Sequence, residues 1–144
     1  MDGTLPPPRP PKYASKMRLT PGWSRTSFLA WGSLAIALAC AGISSHIIGR
    51  PVFWLDDQRW PVGVLVLLAV CVAGPSFLCA FWSYLNGTWV PLISGASTAV
   101  LAVAALLDRH SSPGAAVVEG ALAGAGLLMT FATFTGRYRV PRQE

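Results

Sequence analysis

Leaving cysteine and tyrosine aside, two ionisable side chains interrupt the long apolar stretches of this chain. His46 lies near the end of the first and Glu119 near the start of the last. Arg50, Asp56 and Asp57 follow the first stretch, and Asp108, Arg109 and His110 directly precede the last. At about 1.5 Å of rise per residue, His46 and Glu119 fall within roughly a turn of the same membrane surface, so these residues form a polar cluster at one mouth of the bundle. A carboxylate exchanging with an imidazole could relay a proton or a cation. The same carboxylate beside Arg109 or Arg50 would form a structural ion pair. The structural role is the expectation, because the cost of a membrane charge falls steeply away from the midplane.

Catalytic constellations do not appear. There is no H-E-x-x-H, no G-x-S-x-G elbow and no phosphate-cradling glycine loop. Cys40, Cys71 and Cys79 form no close pair, so they read as buried small hydrophobes, with no metal site. Haem ligation would have to join His46 to His110, a span to a loop, and no cofactor is expected. The chain is expected to be no enzyme, and its basic tails lack the aromatic interleaving of a nucleic-acid binder.

The elements that must position the cluster are apolar helices. Of 144 residues, 53% are hydrophobic and 12% charged, with a mean hydropathy of +0.50. A soluble domain carries about twice that charge. The spacing predicts an all-α integral membrane protein, a four-helix bundle with spans near 28–48, 62–85, 89–107 and 115–134, within a membrane domain of residues 27–136. Residues 1–26, with Pro6, Pro7, Pro8, Pro10 and Pro11, read as a disordered basic tail, and 137–144 as a second basic tail.

Each span has an expected packing face. In the first it is Phe28, Gly32, Ala35, Ala39, Gly42 and His46, with Trp23 and Trp31 as interfacial anchors. The loop after it, through Trp54 and Trp60, should lie in the interface. The second span should kink at Pro75, whose ring crowds the preceding turn. Asn86-Gly87 is a tight turn that makes spans two and three antiparallel neighbours. The third span offers Ser94, Ser97, Thr98, Leu101 and Ala105, with Gly95 and Ala99 as a small-xxx-small pair. A wheel at 100° per residue puts Glu119, Ala123, Gly126, Thr130 and Thr133 on one face of the fourth, and Gly120 and Gly124 form its small-xxx-small pair.

Eight Lys and Arg flank the spans on the side of the termini and three, Arg50, Arg59 and Arg109, on the other. The positive-inside rule then puts both termini in the cytoplasm of a multi-pass protein of the cell inner (plasma) membrane, with a bacterial composition. Small polar portions and glycine-lined faces suit a non-catalytic accessory, assembly or regulatory subunit, packed against other membrane subunits or copies of itself. In span number and in its single membrane carboxylate the chain resembles the small multidrug-resistance exporters. Their carboxylate lies deep in the first span, whereas this one is near the edge of the last. The resemblance implies the alternative function, a small oligomeric transporter or channel coupling ions or protons through Glu119 and His46.

Overall fold

The computed structural model describes residues 13–141. Four helices long and apolar enough to cross a membrane dominate it: α1 (Pro21–Ile47), α2 (Val62–Tyr84), α3 (Val90–Asp108) and α4 (Pro113–Thr135). Two short strands, β1 (Tyr13–Leu19) and β2 (Arg137–Pro141), precede and follow them.

The helices start and stop for local reasons. Pro21 opens α1, and Pro91 and Pro113 sit in the first turns of α3 and α4, where a missing N–H costs nothing. Two helices end in the same hydrogen-bonded motif. Gly49 takes φ +77° after α1, with Arg50 N donating to Ser45 O and Gly49 N to His46 O. Asn86 takes φ +53° after α2, with Gly87 N donating to Trp82 O and Asn86 N to Ser83 O. Both are left-handed C-terminal caps, which favour Gly and tolerate Asn. Pro75 sits inside α2 without ending it.

Polarity is arranged inside out relative to a soluble bundle. The buried faces carry Ser27, Ser83, Ser94, Ser97 and Thr130, while Ile47, Val62, Val117 and Leu128 are more than two-thirds exposed. Small polar residues inside and large aliphatic ones outside suit helices that meet in lipid, where close packing and hydrogen bonds hold them together. Ser27 and Ser83 hydroxyls join α1 to α2 at 2.9 Å, and Ser94 and Thr130 join α3 to α4 at 2.7 Å. Gly126 leaves room at the α3–α4 contact. A Cβ there would stand 2.9 Å from Thr98 Oγ1 and 3.1 Å from the Trp31 ring.

Several expectations are corrected. The tail expected to stay disordered to residue 26 has regular structure from Tyr13: β1 pairs antiparallel with β2, and α1 begins at Pro21. Thr20 N donates to Gly136 O at 3.1 Å, and Leu19 is buried, so the start of α1 and the end of α4 are tied together at one end of the bundle. Residues 1–12 and 142–144 lie outside the described part. Trp31, expected at the interface, is fully buried because the bundle opposes it with Gly126. Cys79 is buried between Ser83 and Ser94, but Cys40 and Cys71 face outward.

Candidate functional site: two buried carboxyls and an aromatic turn

A carboxyl group in an apolar helix needs hydrogen-bond donors, and here the donors come from the loop after α1. That loop folds into a single 3-10 turn, Phe53–Leu55, and drops Trp54 into the top of the bundle, where it is 4% exposed. Trp54 Nε1 donates to Glu119 Oε1 at 3.0 Å. The preceding backbone amide, Phe53 N, donates to Asp108 Oδ1 at 2.8 Å. Ser111 Oγ donates to the same oxygen at 3.1 Å. One carboxyl from the end of α3 and one from the first half of α4 thus grip adjacent residues of a single turn.

Each of these side chains is placed by its element. Asp108 is the last residue of α3, where unpaired carbonyls make an anion unfavourable. Its value there lies in the donors it collects. Glu119 lies six residues beyond Pro113, about 9 Å along α4 at 1.5 Å per residue. Trp54 reaches it because α1 presents Gly42. A Cβ on Gly42 would fall 2.8 Å from both the Trp54 ring and Leu55 Cδ1. Nearer the loop, Ser45 Oγ donates to Gly42 O at 2.8 Å and accepts weakly from Val52 N at 3.4 Å. Ser112 Oγ donates to Arg50 O at 3.1 Å, so the two loops are stitched to each other as well.

Asp108 and Glu119 are 0% and 1% exposed. Their side chains come within hydrogen-bonding reach of one another, and the second oxygen of each, Oδ2 and Oε2, has no donor among the described residues. Two such oxygens can hold one proton between them, a carboxyl donating to a carboxylate. Leaving both bare would strand two buried acceptors, each costing about 1–3 kcal/mol.

The expected cluster is therefore only partly assembled. Asp108 and Glu119 come together. His46, Arg50, Arg109 and His110 are exposed, and none of their side chains hydrogen-bonds to either carboxyl among the described residues. Of the expected α1 face, Ala35 and Gly42 are buried, but the buried stripe turns from there toward Ser27, Trp31, Leu38 and Ser45, which leaves Phe28 and His46 exposed and Gly32 and Ala39 only partly covered. Trp54 and the Phe53 amide are the partners that the residue pattern did not reveal. The available signal was chemical: an indole is apolar with one donor, which suits a buried acceptor.

The packing glycines divide as sharply. Gly42 is a tight contact and Gly95 an ordinary one, 3.9 Å from Thr130 Cγ2. Gly32 and Gly124 have open space where a Cβ would be, and Gly120 meets only Ala105 Cβ at 4.0 Å. Gly120, Gly124 and Ala99 lie on outer surfaces of the bundle, and Gly126, not Gly124, fills the intrachain role expected of α4.

No family model matches the chain, and no curated protein or solved structure is similar to it.

Proposed function

We propose that the chain is a non-catalytic accessory or assembly subunit of a larger membrane complex, with both termini in the cytoplasm. The observation that carries this reading is the division of labour on α4. Its polar face, Glu119, Gly126, Thr130 and Thr133, is consumed by hydrogen bonds and packing within the chain. Its Gly120–Gly124 surface is left open, with the small-xxx-small spacing that lets a second membrane helix approach. Eight cationic residues at the end of the termini against three at the other support the orientation.

The test is extraction in a mild detergent followed by mass spectrometry of what remains bound to a tagged full-length chain. Unrelated membrane proteins in fixed stoichiometry are the expected result. Recovery of this chain alone, as a self-associated species, would favour the second reading, a small transporter or channel. One observation speaks for that alternative: Asp108 and Glu119 each keep an oxygen without a donor among the described residues. Its proton partner would be Asp108, since His46 is exposed.

A further inference from the structure

At the end of the bundle opposite the carboxyl pair, a groove of about 490 Å³ runs between the first turns of α1 and the end of α2. Phe28, Leu29 and Tyr84 make its apolar wall, and the Phe28 and Tyr84 rings meet at 5.7 Å. Arg25 and Asn86 stand at its polar edge. Asn86 is held in a left-handed conformation by the α2 cap, and its carboxamide oxygen has no hydrogen-bond partner among the described residues.

Charge separates the two ends of the molecule. The four described acidic residues, Asp56, Asp57, Asp108 and Glu119, all belong to the loop-side end. Arg18, Arg25 and Arg137 belong to the end that carries the groove. Arg137 is engaged, its Nη2 donating to Thr88 O at 2.8 Å and its guanidinium over the Phe134 ring. Arg25 is exposed, one turn before Phe28 on the same helix face. A cation above an aromatic and aliphatic wall, at the membrane surface of a helix, complements a phosphate joined to acyl chains.

We propose that this groove binds one anionic glycerophospholipid. The phosphodiester lies on the Arg25 guanidinium, and an acyl chain lies along Phe28, Leu29 and Tyr84. The Arg25 cation favours a lipid of net negative charge, such as one with a glycerol headgroup, over a choline lipid, whose own ammonium opposes it. The inference rests on the helices crossing a bilayer and is independent of which complex the chain joins.

Native mass spectrometry of the full-length protein, titrated with phosphatidylglycerol or with phosphatidylcholine of the same acyl chains, tests it. The wild-type chain should retain one phosphatidylglycerol in preference to phosphatidylcholine. Arg25→Gln should weaken phosphatidylglycerol binding roughly tenfold, the value of one charge-assisted contact, and erase the preference. Phe28→Ala should weaken both lipids, and Arg59→Gln, at the opposite end, neither. Equal binding of the two lipids by the wild-type chain, or equal losses from Arg25→Gln and Arg59→Gln, would overturn the proposal. The wild-type comparison stands even if a variant fails to fold.

Discussion

At the scale of single residues, Glu119 works as an acceptor that holds a tryptophan in place. Its contact with Trp54 Nε1 at 3.0 Å and its closeness to Asp108 make specific demands on any replacement. Glutamine meets them, because its carbonyl can accept from Trp54 and its amide offers a donor to the Asp108 carboxyl. Leucine meets neither and strands a buried indole N–H and a buried carboxyl, at about 1–3 kcal/mol for each unmet group. Thermal unfolding in detergent should therefore show Glu119→Gln near the wild-type midpoint and Glu119→Leu clearly below it. Were Glu119→Gln to assemble normally and yet abolish a proton-driven flux in reconstituted vesicles, the structural role would be refuted. Asp108 obeys the same logic. Asp108→Asn keeps the acceptor for Phe53 N and offers a donor to Glu119, so it should fold, while Asp108→Ala frees the turn. Quenching of Trp fluorescence by an aqueous quencher, with Trp54→Phe as reference, should rise in Asp108→Ala and stay low in Asp108→Asn.

At the scale of elements, two glycines decide whether the turn and the helices can close. Gly42 admits the Trp54 ring and Gly126 admits Thr98, each closer than a Cβ tolerates, and Trp31 stands only 3.1 Å from where a Gly126 Cβ would be. Overpacking of this kind costs about 1–3 kcal/mol, so Gly42→Ala and Gly126→Leu should both lower the unfolding midpoint, whereas Gly32→Ala should not. The buried set on α4 was legible in the sequence because its small and polar residues recur at helical spacing: 119, 123, 126, 130 and 133 are all buried. Ser94, Ser97, Thr98 and Leu101 on α3 were legible for the same reason. On α1 smallness located Ala35 and Gly42 but missed the rest of the buried stripe. Large Trp31 and polar Ser27 and Ser45 occupy the interior because Gly126, Ser83 and the Gly42 carbonyl receive them, and those partners come from other segments. Trp54 escaped notice similarly: an aromatic beside two aspartates resembles an interfacial anchor until a buried acceptor is known to lie below it. The β1–β2 pairing joins segments over a hundred residues apart, which no local periodicity records.

At the scale of the whole molecule, the chain spends its polar groups inward and leaves Gly120 and Gly124 of α4 outward. The charge asymmetry supports cytoplasmic termini. A cysteine at exposed Ser111 in a cysteine-free background should label with an impermeant thiol reagent in intact cells, while cysteines at Ser15 and Gln143 should not; the opposite pattern would invert the orientation. The central claim is that the open Gly120–Gly124 surface takes a helix from outside the chain. Gly124→Leu isolates it, because nothing among the described residues lies within 4 Å of the added Cβ. The decisive measurement is the mass of the mildly extracted assembly on a native gel, paired with the unfolding midpoint of the purified chain. The account predicts that Gly124→Leu leaves the midpoint unchanged and shifts the chain from the large assembly to a small one, while Leu128→Ile shifts neither. An assembly of unchanged mass in Gly124→Leu would contradict it.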